Sequence, residues 1–315
     1  MCEKNRLAVQ MGRIRLQNPI LCSSGCLGHA YEVAEYTDLS KIGAVTVKTV
    51  TLQERKGNPT PRIHEIRAGI MSSIGLQNPG IEAYIQKEIP KIQDVLRPDQ
   101  FFISIAGGGQ SDYRELVDRL SSEYPAGTFA ALEINTACPN VEKGAGTIAL
   151  DRHLLYDIVK YAVEKAPFPV VAKISTDFDA FCESAKAVEA AGADAIYTTN
   201  TPLGMAIDVQ TGRSCLGRLK APLNGPVVKP IGIGKTWDLY HAVKLPIIAS
   251  GGVCCMEDAL EYMMAGASAV AIGTYNYIDP DIAPKIIRQL EEYAEQKGLS
   301  GISELTGYTA RIYEG

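Results

Sequence analysis

The sequence predicts a closed (β/α)8 barrel, an α/β fold of the TIM type, opened by a β-hairpin and carrying long loops on its C-terminal face. Three observations predict it. Eight short apolar runs alternate with amphipathic stretches along the chain. Those runs are apolar almost throughout, as strands covered on both faces must be. The three long connections all follow strands, which places them together on the face where barrels build their sites.

The elements follow in order. Leu7–Gln10 and Ile14–Leu16 flank Met11-Gly12-Arg13 and read as a hairpin before the main fold. Strands are expected over 20–23, 44–48, 102–106, 130–135, 170–174, 195–199, 247–250 and 269–273. Helices are expected near 30–40, 79–95, 111–123, 151–165, 178–191, 235–243, 257–265 and 280–297. Alternation implies parallel pairing with helices outside. The count of eight favours a closed barrel over an open doubly wound sheet. Ala190-Ala191-Gly192-Ala193-Asp194-Ala195 echoes Ala265-Gly266-Ala267-Ser268-Ala269, a helix ending at Gly before a strand, as two similar αβ loops would. The long connections cover about 49–78, 136–150 and 200–226, and their Gly, Pro and Asn content suits defined turns.

The 315 residues suit one barrel domain over 1–315, since such barrels take about 250 residues plus insertions. Hydrophobic residues at 46% and charged residues at 21% allow a large core without staples. A net charge of −5 with no basic run excludes a nucleic-acid surface, while leaving room for a small anionic substrate. The polar opening Met1-Cys2-Glu3-Lys4-Asn5-Arg6 is no secretory leader, and no apolar run is long enough to span a membrane. A cytoplasmic protein with free thiols is therefore expected. None of the eight cysteines forms a C-x-x-C pair, and Cys22, Cys26, Cys254 and Cys255 match no iron–sulfur spacing. His29, His64, His153 and His241 are scattered, so no catalytic metal is expected; His29 lies near the first mouth loop, where a surface role is expected ahead of lining the pocket.

Candidate chemistry gathers at strand ends. After the fourth strand comes Asn135-Thr136-Ala137-Cys138-Pro139-Asn140, a thiol between two amides. A tuned cysteine serves as a base, and amides suit a flat polar ring; a buried structural thiol is the plainer alternative. Lys48 closes the second strand and Lys173 lies in the fifth. A lysine in an apolar strand needs a bound anion or an internal carboxylate such as Glu133. Ser250-Gly251-Gly252 and Gly273-Thr274 end the seventh and eighth strands, where barrels commonly bind phosphate.

Taken in order, these motifs resemble the class 1 dihydroorotate dehydrogenases. The resemblance runs nearly the whole chain. It includes Asn18-Pro19, Ser24-Gly25, Val47-Lys48-Thr49, Gly57-Asn58-Pro59-Thr60-Pro61-Arg62 and Ile74-Gly75-Leu76-Gln77-Asn78-Pro79-Gly80. It continues through Asn135, Cys138-Pro139-Asn140-Val141, Asn200-Thr201, Gly225-Pro226, Lys229-Pro230 and the two glycine motifs. Leu76-Gln77-Asn78-Pro79-Gly80 and Cys138-Pro139-Asn140-Val141 are most similar to the NAD-linked, two-subunit branch.

The resemblance implies FMN-dependent oxidation of (S)-dihydroorotate to orotate in pyrimidine biosynthesis. Cys138 would take the C5 proton and hydride would pass from C6 to flavin N5. Lys48, Ser72, Asn135, Asn140, Asn200 and Thr201 would surround the substrate, with Ile74, Gly75 and Leu76 at its carboxylate. FMN would meet Ser24, Gly25, Lys48, Thr49, Asn135, Lys173 and Gly225, with its phosphate on Gly251, Gly252, Gly273 and Thr274. The resemblance also implies a homodimeric core and a partner subunit bearing FAD and an iron–sulfur cluster that links FMN to NAD. This chain has no G-x-G-x-x-G placed between a strand and a helix for NAD itself.

The chain departs from the family pattern. Ser72 stands where the family has a substrate-contacting Asn, and Ala137 where it has Ser. Lys-Leu-Ser-Pro-Asn becomes Lys173-Ile174-Ser175-Thr176-Asp177, Gly-Gly-Leu-Ser-Gly becomes Ala221-Pro222-Leu223-Asn224-Gly225, and Ser-Gly-Thr-Phe-Gly becomes Ser24-Gly25-Cys26-Leu27-Gly28. Losing one buried amide contact alters selectivity. The edited shell therefore admits a second expectation: a flavin enzyme acting on a related dihydropyrimidine or other cyclic amide.

Overall fold

A computed structural model of the chain describes residues 5–137, 148, 150–199 and 201–314. Eight parallel strands close a barrel in chain order: β1 (Ile20–Cys22), β2 (Ala44–Thr46), β3 (Phe101–Ile105), β4 (Ala131–Asn135), β5 (Val170–Ser175), β6 (Ala195–Thr199), β7 (Ile247–Ser250) and β8 (Ala269–Ile272). β8 returns to β1 through Val270↔Ile20 and Ile272↔Cys22, so the sheet has no edge. β1 to β4 and β8 are buried along their whole length.

The expected hairpin pairs Val9–Met11 with Ile14–Leu16. Val9, Met11, Ile14 and Leu16 are buried, each contributing roughly 1.5–3 kcal/mol. Gly12 turns it at φ 54°, and Arg13 reaches Asp194 through its backbone N–H and guanidinium. Asp194 also accepts from Val170 N–H, which ties the hairpin to the N-terminal ends of β5 and β6, opposite the mouth.

Helices cover the barrel from outside. Ile282–Gln296 shows why: Ile282, Ile286 and Leu290 are buried at intervals of one turn, with Ala283, Ile287 and Ala294 beside them. This helix packs on β1. That position explains one correction. The helix expected near 30–40 is absent, and the segment forms only 3₁₀ turns at Tyr31–Val33 and Leu39–Lys41. The 282–296 helix lies against the second of these turns as well as against β1. The helix expected from 235 begins at 229, because Pro230 lies in the first turn, where its missing N–H is harmless. Its full span is Lys229–Ala242.

Two of the long connections carry an unexpected sheet. Strands Leu203–Gly204, Ala221–Asn224, Gly69–Ser72 and Ile63–Ile66 lie side by side in that order, all antiparallel. It joins the loop after β2 to the loop after β6. Met71 and Ala221 are buried with Leu216 on one side of it, with Leu223 against them. Among the described residues no helix is long and apolar enough to cross a membrane.

Candidate active site

Two adjoining cavities open at the C-terminal ends of the strands. One, of about 130 Å³, is walled by Gly251 and Gly252 after β7, Gly273 and Thr274 after β8, and Gly225. The other, of about 160 Å³, is walled by Lys48, Thr49, Ser72, Leu76, Asn135 and Ala137. Ser24, Lys173, Thr199, Thr201 and Asn224 line both. A larger cleft of about 770 Å³ runs between Asn5–Leu7 and the 291–300 segment, but no strand end reaches it. Strand ends supply converging side chains and free backbone groups, so the smaller pair is the better site.

The first cavity is built by backbone. Gly251 and Gly252 take φ of 127° and 74°, conformations that side chains rarely adopt. A Cβ on Gly252 would lie 2.8 Å from Gly225 O and 2.9 Å from Lys229 Cβ. Behind the loop, Tyr262 Oη donates to Gly251 O at 2.7 Å. Because the peptide is trans, this turns the Gly252 N–H the opposite way. Among the described residues, no backbone carbonyl accepts from the N–H of Gly251, Gly252, Gly273 or Thr274. Four such donors beside a void suit an anion.

Where the cavities join, Lys173 Nζ lies 3.7 Å from Glu133 Oε1 and 4.6 Å from the centroid of the Tyr197 ring. Glu133 is fully buried; its Oε1 accepts from Ser104 Oγ at 2.7 Å, and its Oε2 has no hydrogen-bond partner among the described residues. The internal carboxylate and the cavity thus share one lysine. Hydroxyls extend the contact: Ser104 Oγ to Thr49 Oγ1 at 2.8 Å, and Thr49 Oγ1 to Ser24 Oγ at 2.9 Å.

The second cavity is lined by amides and hydroxyls. Asn135 Nδ2 donates to Thr49 Oγ1 at 3.3 Å, and its Oδ1 accepts from Ala137 N–H, which fixes the amide. Leu76 holds φ of 53°, uncommon for a branched side chain, after Gly75 at 78°. The N–H groups of Ile74, Gly75 and Leu76 donate to no backbone carbonyl among the described residues.

Cys26 also lines the first cavity. Burial pushes its thiol up, against the pull of Lys173 and Lys48. Elsewhere, burial and Asp258 push the Cys254 thiol up to about 12. Cys254, Cys255 and Asp258 converge, but Asp258 already holds Lys229 at 2.6 Å and accepts from Cys254 Sγ at 3.0 Å.

Of the residues expected at the site, Ser24, Lys48, Thr49, Ser72, Leu76, Asn135, Lys173, Thr201, Gly225, Gly251, Gly252, Gly273 and Thr274 line these two cavities. Ile74 instead faces a neighbouring cleft of about 600 Å³, which Lys48 also borders. Gly75 lines neither cavity; its added Cβ would lie 2.7 Å from Asn58 N. Gly25 lines neither cavity, and a Cβ there would come within 3.2 Å of Lys48 Nζ. Cys138, Asn140 and Asn200 lie outside the described residues. His29 is half-buried and borders the cleft with Lys48, the alternative to a surface role, with its ring 5.9 Å from that of Tyr31. Sequence reasoning missed Thr199, Ser250 and Asn224 as wall residues. A polar residue closing an apolar strand was the available signal for the first two.

The family model described as dihydroorotate dehydrogenase matches residues 6–293. The catalytic subunit of dihydroorotate dehydrogenase B (NAD(+)) from Geobacillus sp. (strain WCH70) is 41% identical over 303 residues, covering 96% of this chain and 95% of that protein. The subunit of the same description from Desulforudis audaxviator (strain MP104C) is 40% identical over 308 residues, covering 98% and 99%. The crystal structure of a DHODH from Eimeria tenella in complex with ferulenol superposes with a TM-score of 0.77 at 22% identity, covering 99% of this chain and 91% of that one, a likeness of fold. With this family match and these identities over nearly its whole length, the chain belongs to the dihydroorotate dehydrogenase family.

Proposed function

We propose that this chain oxidises (S)-dihydroorotate to orotate in pyrimidine biosynthesis, using FMN at the mouth of one barrel domain. The observation that carries the reading is the pair of cavities meeting at Lys173, one lined by glycines and the other by amides. The residues fit the cofactor: the glycine end offers four N–H donors without a backbone acceptor among the described residues, and a Cβ at Gly252 would collide with Gly225 O and Lys229, so the loop can take this course only as glycine. When bound, FMN supplies the acceptor for the hydride that leaves C6 of the substrate.

The chain's own groups do the rest. Gly251, Gly252, Gly273 and Thr274 hold the phosphate through backbone donors. Lys173, 3.7 Å from Glu133, favours negative charge at the joint of the two cavities. Asn135, Asn140 and Asn200 hold the ring through paired donors and acceptors. Cys138 takes the C5 proton on its sulfur as the ring double bond forms. Ala137, its neighbour in sequence, lines the second cavity. Leu76, whose N–H donates to no backbone carbonyl among the described residues, and Lys48 both line the second cavity and suit a carboxylate. That favours dihydroorotate over a dihydropyrimidine lacking one.

The relatives' description as NAD-linked catalytic subunits supports a further reading. A homodimer of this chain, in the cytoplasm, passes electrons to a partner subunit carrying FAD and an iron–sulfur cluster.

The test is anaerobic mixing of the flavin-loaded protein with dihydroorotate. Bleaching of the flavin is expected. Cys138→Ser should slow it roughly 10²–10⁴-fold at neutral pH, with recovery as pH rises. A flavin left oxidised by dihydroorotate, or equal rates in the two proteins, defeats the proposal.

A further inference from the structure

We infer that Asn224 is a specificity-determining residue of this site, held by Ser72 so that its side-chain carbonyl accepts a hydrogen bond from a ring N–H of the substrate. The inference rests on the reaction proposed above and names a group that reading does not use.

The mouth sheet places the two residues. Its register pairs Leu223 with Met71 and Asn224 with Ile70, so Ser72 lies opposite Pro222. Side chains alternate across a strand. Met71 and Leu223 therefore share one face, where they join the small apolar cluster with Leu216. Ser72, Pro222 and Asn224 share the other, and all three line the second cavity. Ser72 and Asn224 are diagonal neighbours on that face, within reach of a side chain of this length.

Hydrogen bonds then fix which end of the amide faces the cavity. Asn224 Nδ2 donates to Ser72 Oγ at 3.1 Å and to Pro222 O at 2.9 Å. A backbone carbonyl can only accept, so the nitrogen must be the atom beside Pro222. Both amide protons are thus committed within the sheet. Oδ1 has no partner among the described residues and is the polar atom left to offer. An acceptor fixed in this way selects a cyclic amide that presents N–H and rejects a ring that presents another acceptor.

The backbone holds the pair in place. A Cβ on Gly69 would lie 2.0 Å from Asn224 O, and one on Gly225 would lie 2.7 Å from Gly69 Cα. The hairpin and the Ala221–Asn224 strand meet through glycines, closer than any side chain permits. The family pattern that the resemblance implies has Asn at position 72 and Ser at 224; this chain has Ser72 and Asn224. On this geometry the amide has changed strands while still facing the same cavity.

The experiment measures orotate affinity by calorimetry, and KM and kcat for dihydroorotate, in flavin-loaded parent, Asn224→Ala, Asn224→Ser and the swap variant Ser72→Asn/Asn224→Ser. Flavin content reports integrity of the mouth. Asn224→Ala and Asn224→Ser are expected to weaken orotate binding and raise KM by roughly ten- to a hundred-fold at unchanged flavin content. The swap should recover most of that loss. Parent-like orotate affinity in Asn224→Ala, or a swap no better than Asn224→Ser, overturns the inference while the reaction stands. A parent that neither binds orotate nor is bleached by dihydroorotate overturns the reaction, and this inference falls with it.

Discussion

Replacing Lys173 with Met removes a charge while keeping most of the side chain's volume, and Glu133 then has no ion-pair partner among the described residues. The two charged groups lie 3.7 Å apart, with Glu133 fully buried. At an effective dielectric of about 20, unit charges at that distance attract by roughly 4–5 kcal/mol. Removing one partner of a buried pair typically costs about 3–5 kcal/mol, because the other stays charged or must neutralise. Losing the ammonium over the Tyr197 ring adds about 1 kcal/mol. The expected loss in Lys173→Met is therefore about 4–6 kcal/mol. Adding Glu133→Gln removes the stranded charge, and the double variant should regain at least about 2 kcal/mol. Equilibrium urea unfolding of the ligand-free proteins reads both values. A single variant within about 1 kcal/mol of the parent, or a double variant as unstable as the single, refutes the reasoning, since Glu133 would then need no cation. Neither variant should recover flavin reduction, because the lysine also lines both cavities.

Two further predictions follow. Burial pushes Asp194 up, but hydrogen bonds from the Arg13 side chain, Val170 N–H and Arg13 N–H outweigh it and hold the carboxyl below its ordinary range. A depressed carboxyl stabilises the fold above its unfolded value near pH 4 and loses that contribution as pH falls through its lower folded value. Asp194→Asn should lower stability by about 2 kcal/mol at pH 7 and flatten the fall below about pH 4, read from melting temperatures across that range; parallel curves for the two proteins would count against it. Gly252→Ala meets a left-handed backbone and a contact at 2.8 Å, and should weaken FMN binding at least about tenfold by fluorescence titration; unchanged affinity would remove this loop from the phosphate site.

The barrel was legible because each strand is an apolar run bounded by breakers; β6 and β7 were expected over the residues they occupy. The glycine loops and Lys173 were legible because a polar or glycyl residue at a barrel strand's end has few purely structural uses. Local pattern failed where distant chain decided the outcome. The 30–40 segment is helical in periodicity, yet the helix that covers β1 comes from 282–296. The mouth sheet pairs residues 63–72 with residues 203–224 in strands of two to four residues, too short to carry a period. Asn224 was hidden for the same reason: its position in the loop is visible in the sequence, but its face of a strand is not.

That sheet also sets an order of assembly. Six of the eight barrel strands precede residue 221 in the chain, so the Gly69–Ser72 strand is made long before its partner Ala221–Asn224 exists. The ceiling of the pocket is withheld until the ring is nearly whole. A fragment that stops before residue 221 would therefore lack Pro222 and Asn224, one wall of the second cavity, however compact its helices make it.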